Sequence, residues 1–175
     1  MIPTSRTQAE GFSLIEVLVA LAIITAGLLG IAGMQALAIG GTQTSRTESL
    51  VAVAAQSLAG AMQANSGYWL AGLFPAGAFT VTGSAISDST LNSQNTNCVS
   101  SSCTPGQMAG YDLQQWGTNL QTLIPSAAGT ITCQAASPSV CTITVNWTAR
   151  ASAAVNSGTV NSASTAMSYT LVSQF

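Results

Sequence analysis

The most regular feature of the hydrophobic pattern is an uninterrupted apolar run near the N-terminus. Between Val17 and Met34 the chain carries no charged residue, and its only clearly polar one is Thr25. A helix needs about 20 apolar residues, at about 1.5 Å each, to cross the hydrocarbon of a bilayer. The run therefore predicts a membrane-spanning helix over residues 12–40.

Beyond this run the apolar residues keep a helical spacing but cover only one side. Four of them recur every four residues, which is the period of one helix face: Leu50, Ala54, Leu58 and Met62. The sequence Asn65-Ser66-Gly67 then supplies a stop signal. We expect one helix from Phe12 to about Asn65, roughly 80 Å long. Its first part is apolar all round, whereas residues 41–66 form an amphipathic continuation that must pack on a head.

We predict that residues 67–175 form that head, with a short second helix and several strands. Thr104 and Pro105 give an N-cap followed by proline at the first helical position. A strand is expected at Ala78–Thr82 and a polar loop from Gly83 to Ser102. Apolar residues then alternate with a period of two, as in strands, in three groups: Ile131 and Cys133; Cys141, Ile143, Val145 and Trp147; Met167, Tyr169 and Leu171. The sequence therefore predicts an α+β fold, a long helix packed on a small antiparallel sheet.

Charged residues are rare, and this argues against several functions. The chain has three Arg and five acidic residues, with no Lys and no His. Nucleic-acid binding depends on clustered Lys and Arg, and only Arg46 and Arg150 lie beyond residue 11, so we expect no nucleic-acid partner. Without His or Lys the usual general bases and Schiff-base nucleophiles are missing, and Asp88 and Asp112 are isolated. We therefore expect neither enzymatic activity nor a cofactor. Trp116 and Trp147 are expected in the core, whereas Trp69 is more open to an interface role.

All four cysteines lie in the expected head. An even number of cysteines outside the cytosol indicates disulfides. Three connectivities are possible, and we favour the two local pairs, Cys98–Cys103 and Cys133–Cys141, because Cys133 and Cys141 occupy same-face positions of neighbouring strands. A zinc site is disfavoured, since the chain has no histidine to complete a mixed ligand set.

The apolar run begins with a motif of its own, Gly11-Phe12-Ser13-Leu14-Ile15-Glu16. A secretory signal peptide is cut after its apolar core, whereas here the natural processing point, Gly11–Phe12, precedes the core. The motif resembles the processing motif of type IV pilins and of type II secretion pseudopilins. The resemblance implies that a prepilin peptidase removes residues 1–11 as a leader and that the new N-terminal residue, Phe12, is N-methylated.

Glu16 lies inside the apolar run, where a carboxylate costs about 2.5–3.5 kcal/mol on insertion scales. The amine of processed Phe12 is the nearest cation, in the same or an adjacent subunit. Our hypothesis is that this pair sets the axial register as a subunit leaves the bilayer for the filament. The alternative is that Glu16 lies among the lipid headgroups. Gly27, Gly30 and Gly33 either loosen the helix in a filament or only allow close packing.

Four further segments resemble minor pilins of the PilV type: residues 27–35, 57–65, 103–116 and 142–147. This resemblance implies a role in type IV pilus assembly and tip formation, with adhesion and twitching motility, in partnership with other minor and major pilins and a tip adhesin. The subunit would span the inner membrane once, with its head in the periplasm, before it joins the extracellular pilus. The alternatives are a type II secretion minor pseudopilin and a membrane-anchored binding module outside the cytoplasm.

Overall fold

The computed structural model describes residue 11 and residues 13–135, 138–150 and 164–174. Its longest element is helix α1, Leu14–Ala64, whose 51 residues extend over about 76 Å. No proline interrupts α1, and several hydroxyl groups donate to carbonyls of the preceding turn, as Thr42 does to Ala38 at 2.9 Å. The helix therefore continues without a break through its glycine-rich segment and ends at the predicted stop, with Asn65 as the C-cap.

In its described residues the head adds three helices and five strands to α1. In chain order they are α2 (Ser66–Trp69), β1 (Gly77–Thr82), β2 (Ala85–Ile86), α3 (Ser89–Asn92), α4 (Pro105–Leu123), β3 (Ala128–Gln134), β4 (Val140–Arg150) and β5 (Ser164–Gln174). The predicted α+β class, a long helix on a small antiparallel sheet with a second helix, is confirmed.

Helix α4 begins where its local sequence predicts. The Thr104 hydroxyl accepts the backbone N–H of Gln107 at 3.3 Å, and the Gln107 side chain accepts the backbone N–H of Thr104 at 2.9 Å. This reciprocal capping box satisfies two backbone donors that a helix start leaves open, and Pro105 supplies a preset φ at the first helical position.

The five strands form one antiparallel sheet in the order β2-β1-β3-β4-β5. Strands β4 and β5 pair along their whole length, from Val140 opposite Gln174 to Arg150 opposite Ser164. In the β3–β4 pair Cys133 lies directly opposite Cys141, so that both side chains point to the same side of the sheet.

The C-terminal part of α1 and helix α4 pack together on one face of this sheet. The buried side chains come from both helices and from β1, β3 and β4: Val51, Leu58, Met62, Leu113, Trp116, Leu120, Phe79, Val81, Ile131, Ile143, Val145 and Trp147. The segment Leu14–Gln35, in contrast, has no buried residue. Half of α1 thus belongs to the head, and the rest projects from it as an apolar stalk, which we define as Leu14–Gln35.

The segment from Gly83 to Ser102 is more ordered than the loop we expected. It contains β2 and α3, and the Asp88 carboxylate accepts the Leu91 N–H at 2.9 Å as the N-cap of α3. The Asn92 side chain accepts the Ile86 N–H at 2.9 Å and joins the two short elements. The expectation of a plain loop was wrong because side-chain hydrogen bonds stabilise these short turns.

Trp69 is also placed differently from the expectation. Its side chain is only 1% exposed; it stacks on Phe74 at 6.5 Å between ring centroids and meets the edge of Tyr68 at 5.0 Å. An interface role for Trp69 is therefore wrong, because the turn after α2 folds the aromatic ring into the core. Trp116 and Trp147 are buried, as predicted.

Candidate processing and assembly segment

Helix α1 begins directly after the expected cleavage point. Ser13 is its N-cap with extended backbone (φ −76°, ψ 138°), and the Ser13 carbonyl accepts the N–H groups of Glu16 at 3.0 Å and Val17 at 3.3 Å. Gly11 is exposed and lies outside the helix, whereas Phe12 lies outside the described residues. Exposed non-helical backbone on both sides of residue 12 is the form in which a peptidase can bind a chain.

Glu16 occupies the first turn of α1 and is exposed. A carboxylate there is stabilised by the positive end of the helix dipole, typically by about 0.3–1 kcal/mol at an exposed site. Beyond residue 11 the only basic side chains are Arg46 and Arg150, and Arg46 is thirty residues further along the same helix, or about 45 Å away. The amine that cleavage would create at Phe12 is therefore the cation nearest to Glu16 in sequence.

The stalk that follows is long and apolar enough to cross a membrane. It has 22 residues and a mean hydropathy of 2.5, for a length of about 33 Å against a hydrocarbon thickness of about 30 Å. Its large apolar side chains are 46–85% exposed. Thr25, a polar residue in the middle of the stalk, donates its hydroxyl to the Ala22 carbonyl at 2.9 Å, which satisfies that donor without water.

Three glycines interrupt the apolar surface of the stalk without ending the helix. A Cβ added at Gly27, Gly30 or Gly33 would have no neighbour within 4 Å, so nothing inside the head requires glycine at these positions. Small residues on a membrane helix allow another helix to approach closely. The glycines are therefore free to serve contacts outside this chain.

The comparison with protein families agrees with this geometry. Residues 6–32 match the family model described as the prokaryotic N-terminal methylation motif. The match supports a type IV pilin-like protein. The match includes both the expected cleavage point and most of the stalk, and it supports a pilin or a pseudopilin equally. No curated protein and no solved structure matches the chain significantly.

The motif and the stalk support three general properties. The motif implies processing by prepilin peptidase and assembly with other pilins. The apolar N-terminal helix fits an inner-membrane anchor. Proteins of this type are generally structural, not enzymatic.

The head is crosslinked by both local disulfides. Cys98 is bonded to Cys103, with 5.6 Å between their Cα atoms, and Cys133 to Cys141, with 4.1 Å. The first bond closes the segment that leads into α4, and the second joins β3 to β4. In the chain-entropy model each short loop closure stabilises the fold by about 2 kcal/mol.

Asp112 is the ionisable group that the sequence did not mark as special. It lines a groove between α1 and α4 formed by two adjoining cavities of about 370 and 300 Å³, which share Ala61 and Asp112. Burial raises the pKa of the Asp112 carboxyl. The pKa of Tyr68 is also raised, mainly by burial and to a lesser degree by the negative charge of Asp88. Asp112 lies on α4 in the head and is not part of the processing segment. Among the described residues no group of three or more His, Cys, Asp or Glu could hold a metal ion.

Proposed function

We propose that this type IV pilin-like protein is a minor pilin of the PilV type, which takes part in the assembly and priming of a type IV pilus and in the complex at its tip. The observation that carries the proposal is the stalk: an apolar helical segment with no buried residue begins within the processing motif, at Leu14. Burying one large apolar side chain stabilises a structure by about 1.5–3 kcal/mol, so the stalk requires lipid before assembly and neighbouring helices afterwards.

The proposal gives each part of the chain a role. Residues 1–11 are the leader that prepilin peptidase removes after Gly11, and Phe12 receives the methyl group. Residues 12–40 anchor the subunit and then form the filament core, and residues 41–66 carry the head, residues 67–175. Glu16 pairs with the amine of Phe12 in the same or an adjacent subunit, because this pairing removes an isolated charge from an apolar environment.

The proposed partners are prepilin peptidase, other minor and major pilins and a tip adhesin. The head lies in the periplasm while the stalk spans the inner membrane, and it becomes extracellular in the pilus. Two disulfides in the head support this location, because such bonds persist in oxidising compartments. Adhesion and twitching motility would follow from a role at the pilus tip.

The motif also suits a minor pseudopilin of a type II secretion system, and a deletion strain separates the two functions. Loss of surface pili with normal release of secreted proteins supports the minor pilin. Normal piliation with exoproteins retained in the periplasm assigns the chain to the secretion system instead. A protein that keeps its leader, in cells that process other pilins, would be a membrane-anchored binding module.

A further inference from the structure

Strand β5 lies at one end of the sheet, and within the described part of the chain its only neighbouring strand is β4. Every second residue of an edge strand directs its N–H and C=O away from the sheet. The backbone hydrogen bonds formed outside helices and strands in the described residues include none from Ser164–Gln174. As far as the described residues go, the outer edge therefore presents about five residues whose backbone donors and acceptors have no partner.

The composition of β5 leaves this edge without the usual protection. Natural edge strands avoid pairing with other chains by being short, by carrying charge or proline, or by a bulge. Strand β5 is 11 residues long, contains neither charge nor proline, and pairs with β4 in an unbroken register. The opposite edge of the sheet is different, because β2 has only two residues, Ala85–Ile86.

The core-facing side chains of β5 are also incompletely covered. Met167, Tyr169 and Leu171 are only partly buried, while the residues opposite them on β4 are at most 4% exposed: Trp147, Val145 and Ile143. A cavity of about 410 Å³ lies between α1 and β5, lined by Ala52, Trp147, Met167 and Tyr169 among others. A further strand beside β5 would place an inward side chain next to this cavity.

We propose that β5 is a docking edge to which an extended, uncharged segment of a different protein chain adds as a sixth strand of the sheet. Backbone hydrogen bonds would provide affinity, and the inward side chains of the added strand would provide specificity by covering Met167 and Tyr169. Strand β5 carries no charge, so an uncharged segment forgoes no ion pair with this strand. Among the described residues the only charged one that lines the cavity, Glu48, belongs to α1 and is itself exposed.

Geometry argues against a second copy of this chain as the occupant. Two β5 edges pair antiparallel about a twofold axis perpendicular to the sheet. Because α1 packs flat on the sheet through Val51, Leu58 and Met62, this rotation would direct the two stalks oppositely, and they could not enter one membrane. Two copies of β5 could also pair in parallel, about a twofold axis along the strands. This axis places identical residues directly opposite each other, whereas the hydrogen bonds of a parallel pair require an offset between them. Head-to-tail pairing would meet only the two residues of β2.

This inference rests on the proposed function, because the argument against a second copy assumes a membrane anchor. It adds that the partner of the head is a chain that supplies a strand. Amide hydrogen exchange tests it. Exchange of β5 is followed residue by residue in the purified full-length protein in detergent and in native envelopes, with membranes and pili included. We expect alternate β5 amides to slow by about tenfold or more in the envelopes, a pattern that side-chain docking does not produce.

Two matched variants separate the edge from the sheet face. Ser168 on β5 and Asn146 on β4 are exposed cross-strand neighbours. Ser168→Lys should abolish the added protection, and Asn146→Lys, on the same face but not at the edge, should retain it. Protection of the outward-facing β5 amides already present in detergent, no added protection of them in envelopes, or crosslinks between the β5 strands of two copies would each overturn the proposal. Protein that keeps its leader and is absent from pili would instead overturn the proposed function. The exchange data would still show whether another chain pairs with β5.

Discussion

The indole N–H of Trp116 donates a hydrogen bond of 2.8 Å to the backbone carbonyl of Ala54, 62 residues earlier in the chain. The bond is buried and connects α4 with the part of α1 that enters the head. Ser57 donates its hydroxyl to the same oxygen at 2.8 Å. The Ala54 carbonyl therefore joins α4 of the head directly to the helix that continues into the stalk.

The first prediction concerns this bond. Trp116→Phe removes the indole donor and part of a buried ring, and we expect the free energy of unfolding to fall by about 1–2 kcal/mol. Urea unfolding of the full-length protein in detergent measures the change. Trp147→Phe is the matched control, because Trp147 is equally buried but makes no indole hydrogen bond described in the structure. Equal losses in the two variants would show that packing alone matters.

The second prediction concerns the contact between β3 and α4. A Cβ at Gly129 would collide with the Trp116 ring, so Gly129→Ala should lower the free energy of unfolding by about 1–3 kcal/mol. Gly60→Ala on the exposed side of α1 meets nothing within 4 Å and should raise it by up to about 1 kcal/mol. The same unfolding experiment measures both. A stable Gly129→Ala variant would mean that Trp116 can move at little cost.

The third prediction is a pH dependence caused by Asp112. Its folded-state pKa lies above the ordinary value of 3.8, so the folded protein binds this proton more tightly than the unfolded chain does. Stability from this group is therefore lost as the pH rises from 3.8 through the folded-state pKa, and the penalty is complete above it. Asp112→Asn should raise the urea midpoint at neutral pH but not below pH 3.8. The same difference at both pH values would contradict the account.

The fourth prediction concerns Glu16. Glu16→Gln removes the charge but keeps the size of the side chain, so the head should fold and the leader should be removed, while incorporation into pili falls severely. Comparing the amounts in membranes and in sheared pili measures incorporation. Glu16→Asp keeps the charge and should restore part of it. Normal incorporation of Glu16→Gln would rule out the pairing with the Phe12 amine.

The sequence could predict those elements whose cause is local. Periodicity and the absence of proline predict α1, the Thr104–Gln107 pattern predicts the start of α4, and alternation predicts the strands from β3 onward. The burial of Trp69 was not accessible, because it depends on the turn that brings Phe74 onto the ring. The groove at Asp112 was missed for a similar reason, since it exists only where two helices distant in sequence pack together.

The functional segments also differ in how far the sequence could predict them. The motif around Gly11 and Glu16 is contiguous, so the sequence alone could indicate its chemistry. The docking edge on β5 could not be anticipated, since alternation predicts a strand without telling which strand is last in the sheet. The order of the strands and the partial burial of Met167 and Tyr169 come only from the folded arrangement.

The central claim is most directly tested by the intact mass and N-terminal sequence of the unreduced protein from its native membranes. The account predicts a chain that starts at N-methylated Phe12 and is four hydrogens lighter than its reduced form, because two disulfides are present. A chain that still starts at Met1, in cells whose peptidase processes other pilins, would contradict it.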